Sequence, residues 1–179
     1  MHGIIHLELH NFVKSQYGEE ALKELIERAQ PSSHVLTPLQ SYPDSDIVAM
    51  VVAAAEMTGK STTTLLEAFG EFLVPTYVSL YGSLLKPTWR TLDVIEHTEQ
   101  TIHRVVRRRQ PGALPPRLRT VRVGPKMVIL TYDSPRRLCA VARGIGRGVA
   151  ARFAEVLTIS DIECMHRGDP ACIISFEVQ

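Results

Sequence analysis

Tyr132-Asp133-Ser134-Pro135-Arg136 follows an apolar segment and lies 29 residues after His103. Tyr132, Ser134 and Arg136 alternate along the chain, so on an extended stretch their side chains point to one side. Two hydroxyl groups and a guanidinium fork on one side are suited to holding carboxylate or phosphate groups. The imidazole of His103 is a common type of metal ligand. The sequence therefore predicts an anion-binding strip that follows a metal ligand.

A proline-rich segment, Gln110-Pro111-Gly112-Ala113-Leu114-Pro115-Pro116-Arg117-Leu118, joins these two features. The three pieces in this order resemble the haem nitric oxide/oxygen binding (H-NOX) family, regulatory domains related to the haem domain of soluble guanylate cyclase. The resemblance begins at Met1-His2-Gly3-Ile4-Ile5 and extends to Gly168-Asp169-Pro170-Ala171-Cys172, so it covers nearly the whole chain. It implies a haem b cofactor.

The resemblance also implies a role for individual residues. In the family, a histidine at the position of His103 binds the haem iron, and a proline at the position of Pro116 presses against the porphyrin. The Tyr, Ser and Arg of the anion-binding strip hold the two haem propionates. The haem contacts implied in this way are His103, Pro116, Tyr132, Ser134, Arg136, Ile5, Leu9, Leu73 and Val141.

The sequence around His103 predicts a long helix over residues 91–109. At about 100° per residue, His103 shares one side of this helix with an apolar set and one carboxylate, whereas His97 points away. The set is Leu92, Ile95, Glu99 and Val106. Such a histidine is more often a core residue than a metal ligand, but the family resemblance favours the ligand. The anion-binding strip also has an alternative interpretation, in which Ser134-Pro135 is only a turn and Arg136 is a surface cation.

Gas selectivity depends on the residues opposite the iron ligand, because a hydrogen-bond donor stabilises bound oxygen. The oxygen-binding members of the family have a tyrosine five residues after the arginine of the strip, where this chain has Val141. Their other polar or aromatic positions correspond to Leu9 and Leu73, which are apolar. We therefore expect nitric oxide and carbon monoxide to bind and oxygen to be excluded, unless Tyr77 or Tyr81 reaches the pocket.

Three cysteines suggest a second kind of site. Cys164 and Cys172 flank a predicted hairpin turn, and folding could bring Cys139 to them. A branch of the family carries three cysteines and a histidine that bind zinc and respond to thiol oxidation. Asp161 occupies the place of that histidine, and His166 is the nearest substitute, so the fourth ligand is open. Three buried thiols without metal are the alternative.

The order of hydrophobic patterns predicts an α+β fold in a single domain, residues 1–179. A helical part covers about residues 1–85, and an α/β part with a small antiparallel sheet covers about 86–179, with the haem between them. The predicted helices are 3–17, 19–29, 44–58, 62–70, a segment from Pro75 to Gly82, 91–109 and one around 138–153. The predicted hairpins are 118–132 and 157–178.

Composition limits the class of protein. The longest apolar run, Ile47 to Ala55, is far short of the roughly 20 residues that cross a bilayer. The amino terminus does not resemble a signal peptide, so we expect a cytoplasmic protein.

Charge is distributed unevenly along the chain. Residues 1–100 carry 6 Lys/Arg and 13 Asp/Glu, whereas residues 101–179 carry 14 Lys/Arg and 6 Asp/Glu. The basic part has too few aromatic residues for a nucleic-acid stacking platform, so we expect no nucleic-acid partner.

These patterns lead to one expected function and two alternatives. The first is a haem-based nitric oxide sensor that regulates a separate signalling protein, such as a histidine kinase or an enzyme of cyclic dinucleotide metabolism, as family members do. In the family, nitric oxide weakens the bond between iron and histidine and the two parts of the domain shift. The alternatives are a zinc or thiol redox sensor and a small-molecule-binding domain of the four-vinyl reductase type. No local set of catalytic residues predicts an enzyme.

Overall fold

A computed structural model describes residues 1–109 and 113–179. Its helices and strands, in chain order, are α1 (Gly3–Tyr17), α2 (Glu19–Ala29), α3 (Asp44–Thr58), α4 (Thr62–Tyr81), α5 (Thr91–His97), a π-helical turn (Glu99–His103), α6 (Arg104–Arg109), β1 (Arg117–Val123), β2 (Met127–Asp133), α7 (Cys139–Arg152), β3 (Leu157–Glu163) and β4 (Cys172–Val178). Short 3₁₀ turns cover Gly82–Leu84 and Met165–Arg167. The predicted α+β class is confirmed.

The four strands form one antiparallel sheet in the order β1-β2-β4-β3. Both predicted hairpins are present, with Leu118 opposite Tyr132 and Leu157 opposite Val178. Val128, Leu130 and Tyr132 alternate as buried residues along β2, which pairs with a neighbour on each side. This alternation gives the sheet one apolar face, and α5 and α7 pack near it.

Helices α1 to α4 share an apolar core of their own. Its fully buried members include Leu25, Ile47, Met50 and Leu73, which come from α2, α3 and α4. The amphipathic pattern of each helix explains this packing, because the apolar residues recur every three or four positions. At the start of α4, the Ser61 hydroxyl caps the helix by accepting a hydrogen bond from the Thr64 N–H at 3.1 Å.

Glycines allow α4 and α7 to approach closely, and this contact joins the first four helices to the sheet. A methyl group added at Gly144 would lie 2.0 Å from the Glu67 carbonyl oxygen, and one added at Gly70 would lie 2.4 Å from the Val141 carbonyl oxygen. Neither position has room for a side chain, since the neighbouring atoms belong to the opposing backbone. The two helix axes are therefore held at a distance that only glycine permits at these positions.

Two helices differ from the prediction. The sequence predicts a break near Pro75, but α4 continues through this proline to Tyr81. The lost N–H costs one helical hydrogen bond, and packing of Leu73 and Val74 in the core outweighs it. The predicted helix 91–109 contains a π-helical turn at Glu99–His103, in which the His103 N–H donates to the Thr98 carbonyl at 3.0 Å.

None of the helices within the described residues is both long enough and apolar enough to cross a membrane.

The glycine contact gives a test of the fold. We expect Gly144→Ala to lower the free energy of unfolding by roughly 3 kcal/mol, because the added methyl group meets backbone atoms that cannot rotate away. Gly82→Ala is the matched control, since its methyl group would meet only Val78, at an ordinary 3.6 Å. Urea denaturation of the three proteins measures the difference. Equal midpoints for the two variants would contradict the close contact.

Candidate cofactor site

A mostly apolar cavity of about 300 Å³ lies between α1, α4, α7, the segment around the π-helical turn and the sheet. This volume is at the lower end of the range for small-molecule and cofactor pockets, about 300–1,000 Å³. Phe69 and Leu73 of α4, Ile145 of α7, and Leu130 and Phe176 of the sheet form part of its wall.

The π-helical turn directs several side chains to this cavity. A π turn adds one residue to the helical repeat, which rotates the following side chains relative to a continuous α-helix, and such turns often occur at functional sites. Thr98, Ile102, His103 and Val106 all line the cavity. His97, on the other side of the helix, packs on the Trp89 ring with 4.8 Å between centroids. The predicted orientations of the two histidines therefore agree with the structure.

The His103 imidazole is held by a carboxylate. Its Nδ1 atom lies 3.0 Å from the Glu99 Oε2 atom, and only 15% of the His103 side chain is exposed. Burial lowers the pKa of His103 below its usual value, although the Glu99 carboxylate and the Pro116 carbonyl act in the opposite direction. A neutral imidazole with one nitrogen engaged in a hydrogen bond is the form that binds a metal ion.

The anion-binding strip lies at the same cavity. Tyr132, Ser134 and Arg136 all line it, and the first two are buried. The Arg136 backbone N–H donates to the Ser134 hydroxyl at 3.3 Å, which fixes the turn. Burial raises the pKa of Tyr132 to about 12, so its hydroxyl keeps its proton and can act as a donor. The structure thus brings the strip and His103 together.

Arg136 already has protein partners. Its Nε atom donates to the Asp44 Oδ2 atom at 2.7 Å, and its guanidinium also donates to the Leu114 carbonyl. The Asp44 carboxylate also forms an ion pair with the Met1 amino group, with 2.8 Å between the Met1 nitrogen and the Asp44 Oδ1 atom. Burial would raise the pKa of Asp44, but the hydrogen bonds from Met1 and Arg136 outweigh it and lower the pKa. The sequence pattern does not reveal Asp44, because it lies 92 residues before Arg136.

The remaining predicted contacts divide into two groups. Ile5, Leu73, Pro116 and Val141 line the cavity. Leu9 is instead buried in the core of α1 to α4, where it is 5% exposed, and it does not belong to the cavity wall. The Gln110-Pro111-Gly112 part of the proline-rich segment lies outside the described residues.

Two tyrosines join the apolar wall. Tyr77 and Tyr81 both line the cavity, with 6.3 Å between their ring centroids. Burial raises the pKa of both phenols. The sequence leaves their position open, and the structure places both of them at the cavity.

The three cysteines form a buried cluster. The Cys164 Sγ atom lies 3.9 Å from the Cys139 Sγ atom and 3.8 Å from the Cys172 Sγ atom. Burial and the neighbouring thiols raise the pKa of Cys139 to about 12, which keeps it protonated at neutral pH. The prediction that folding brings the three residues together agrees with this geometry.

Among the residues that the structure describes, the cluster has no fourth zinc ligand. Within residues 1–109 and 113–179, no further His, Cys, Asp or Glu places a ligand atom in this group. The His166 Nε2 atom instead lies 2.8 Å from the Arg137 carbonyl oxygen. Both Asp161 oxygens accept hydrogen bonds from the Arg143 guanidinium at 3.0 Å, and the same guanidinium nitrogen lies 3.8 Å from the Cys139 Sγ atom. A buried cation beside the thiols opposes the binding of a metal cation, so these residues do not fit a tetrahedral zinc site.

Comparison with known proteins identifies the family and the fold. A family model described as Haem-NO-binding (HNOB) matches residues 2–161. The chain belongs to this family, also called H-NOX.

Solved H-NOX structures superpose on the whole chain. An H-NOX protein from S. oneidensis in the Fe(II) ligation state, a triple mutant, is 28% identical, with a TM-score of 0.93 over 100% of this chain and 96% of its own. The S. oneidensis protein in the Fe(II)NO state is also 28% identical, with a TM-score of 0.92 over 100% and 99%. The Fe(II) unliganded protein from K. algicida, at 20% identity and a TM-score of 0.90 over 100% and 97%, shares the fold. No curated protein matches the chain.

The side chains at the cavity have the chemistry that a haem needs. A haem requires an axial ligand for its iron, an apolar wall for the porphyrin, and hydroxyl or guanidinium donors for two carboxylates. His103 offers the imidazole, Tyr132, Ser134 and Arg136 offer the donors, and most of the wall is apolar.

The cysteine cluster gives the testable prediction of this site. We expect the purified protein, after dialysis against a chelator, to retain far less than one zinc ion per chain. Asp161→His replaces the carboxylate that pairs with Arg143 and supplies an imidazole near the cluster, so we expect it to retain more zinc. Ser160→His, on the neighbouring position of β3, is the matched control. Elemental analysis measures the metal. One zinc ion per chain in the unaltered protein would contradict the structure of the cluster.

Proposed function

We propose that this chain, as a single domain of residues 1–179, is a haem-based gas sensor. In this proposal haem b occupies the cavity between α1, α4, α7 and the sheet, and His103 binds the iron. One observation carries the proposal. His103 and the strip of Tyr132, Ser134 and Arg136 line the same apolar cavity, in a chain that belongs to the Haem-NO-binding family.

Each side chain has a defined task in this proposal. The haem, when bound, supplies a ferrous iron that takes a diatomic gas. Tyr132, Ser134 and Arg136 bind the propionates, with the guanidinium giving a bidentate contact. Asp44 holds Arg136 at the cavity, and it competes with the propionates for the same guanidinium. Pro116 lines the cavity and would pack against the porphyrin.

We propose that nitric oxide and carbon monoxide are the ligands and that oxygen is excluded. The related S. oneidensis proteins are described in Fe(II)NO and Fe(II)CO states. In this chain Leu73 and Val141 are apolar, and neither can donate a hydrogen bond to oxygen. Tyr77 and Tyr81 of α4 also line the cavity and carry hydroxyl groups, so exclusion of oxygen requires that both point away from the gas.

In this proposal a separate signalling protein responds when the gas binds. His103 would connect the iron to the π-helical turn, and the contact between α4 and α7 would transmit a movement of this turn between the helices and the sheet. We propose that this chain is cytoplasmic and that its partner is a signalling protein, such as a histidine kinase or an enzyme of cyclic dinucleotide metabolism. We assign no catalytic activity and no nucleic-acid partner.

The zinc or thiol redox sensor is weaker than the haem proposal. Three thiols within one cluster favour it, but the Arg143–Asp161 pair occupies the place of the fourth ligand. The position of His103 at the cavity argues against a small-molecule-binding domain of the four-vinyl reductase type.

Removal of the iron ligand tests the proposal directly. We expect His103→Ala to lower haem retention by at least tenfold, because loss of the axial bond leaves only packing and propionate contacts. Added imidazole should restore a ferrous spectrum with a nitrogen ligand. His97→Ala, which removes the stacking on Trp89, is the control and should retain haem. Unchanged haem content and an unchanged ferrous spectrum in His103→Ala would refute the assignment.

Gas selectivity has its own test. We expect the ferrous protein to show no stable oxygen-bound spectrum in air. Val141→Tyr adds a hydroxyl donor at the cavity wall and should allow oxygen to bind, whereas Val141→Phe adds the same ring without the hydroxyl and should not. Absorption spectra in air compare the three proteins. A stable oxygen-bound spectrum of the unaltered protein would contradict the proposed selectivity and point to Tyr77 or Tyr81 as a donor.

A further inference from the structure

We infer that Glu99 is a positioning residue that sets how strongly His103 binds the iron. The inference rests on the proposed function, because it concerns the iron ligand named there. It adds a specific role for this carboxylate, which the sequence pattern does not assign.

The π-helical turn places Glu99 beside His103. The turn begins at Glu99 and ends at His103, and the Glu99 Oε2 atom lies 3.0 Å from the imidazole Nδ1 atom. With Nδ1 donating its proton to the carboxylate, Nε2 is left as the nitrogen with a free lone pair. The hydrogen bond therefore selects the tautomer that can bind a metal ion.

Two further contacts fix the carboxylate itself. The Leu118 N–H donates to the same Oε2 atom at 3.2 Å, and the Arg107 guanidinium donates to Oε1. Only 26% of the Glu99 side chain is exposed. Because both oxygens are engaged, the carboxylate cannot rotate away from His103, and it also ties the helical segment to the start of β1.

The chemistry follows from the partner of Nδ1. A carboxylate that accepts the Nδ1 proton draws it partly away from the ring and raises the electron density at Nε2, so the imidazole becomes a stronger ligand. Arg107 draws negative charge from the same carboxylate and moderates this effect. Glu99 and Arg107 thus act on the iron–histidine bond in opposite directions.

This arrangement has a consequence for the response to nitric oxide. A stronger iron–histidine bond resists the bond loss that the gas promotes. The hydrogen bond from His103 to Glu99 should therefore increase the fraction of the nitric oxide complex in which His103 stays bound. Changes at Glu99 or Arg107 should alter that fraction without touching the gas-binding side of the cavity.

The test uses the haem-loaded protein and four variants. Glu99→Gln keeps the shape with a weaker acceptor, Glu99→Leu removes the acceptor, and Arg107→Gln removes the cation from the carboxylate. Glu96→Gln is the matched control, because Glu96 lies on the same helical segment as Glu99 but forms an ion pair with Arg122 of β1. Resonance Raman spectroscopy of the ferrous, unliganded protein measures the iron–histidine stretching frequency.

We expect the iron–histidine frequency to fall in Glu99→Gln, to fall further in Glu99→Leu and to rise in Arg107→Gln, with no change in Glu96→Gln. Haem dissociation should be roughly tenfold faster in Glu99→Leu, in line with the usual effect of removing the hydrogen-bond partner of a metal-bound histidine. The fraction of the nitric oxide complex that has lost His103, measured by absorption, should move in the opposite direction: it should rise in Glu99→Gln, rise further in Glu99→Leu and fall in Arg107→Gln. A merely structural role for Glu99 does not give opposite changes in the glutamate and arginine variants.

The outcomes separate this inference from the proposed function. An iron–histidine band that is absent from His103→Ala but unchanged in Glu99→Gln and Arg107→Gln would overturn the inference and leave the function intact. Absence of any such band in the haem-loaded unaltered protein would overturn both. If Glu99→Leu does not fold, the opposite shifts expected for Glu99→Gln and Arg107→Gln still decide the question.

Discussion

The close approach of α4 and α7 is the contact on which the rest of the structure depends. At Gly70 and Gly144 the two backbones meet directly, so the helices cannot separate without exposing apolar surface or move closer without a clash. Leu73 and Val141, which flank this contact, form part of the cavity wall. The dimensions of the cavity therefore follow from two positions that carry no side chain, and a shift of one helix against the other changes the space for a bound group.

Most of the secondary structure could be predicted from the sequence, because amphipathic periodicity and turn residues determine it locally. The bounds of α1, α2 and α3 agree with the pattern, as do both hairpins. The continuation of α4 through Pro75 depends on core packing, which no local pattern contains. The π-helical turn at Glu99–His103 is also hidden, since one extra residue in a helix leaves the hydrophobic spacing on either side unchanged.

Only part of the candidate site could be predicted from the sequence, namely the part that local motifs and their order along the chain define. The order of His103 and the strip from Tyr132 to Arg136 indicates a shared site, and the structure places these residues at one cavity. Leu9 lies in the helical core instead, because a helical face can meet either the core or the cavity. Asp44 and Arg143 act through ion pairs with residues distant in sequence, at Arg136, Glu67 and Asp161, and such pairs leave no local signal.

The proposed function requires that this cavity hold a ferrous haem through His103 and that the haem bind nitric oxide but not oxygen. An absorption spectrum of the purified protein, produced with added haem precursor, tests it most directly when the ferrous protein is measured before and after nitric oxide and in air. We expect a Soret band that shifts with nitric oxide and does not shift with oxygen. Absence of a Soret band even after reconstitution with haem would contradict it, and would leave His103 as a buried histidine hydrogen-bonded to Glu99.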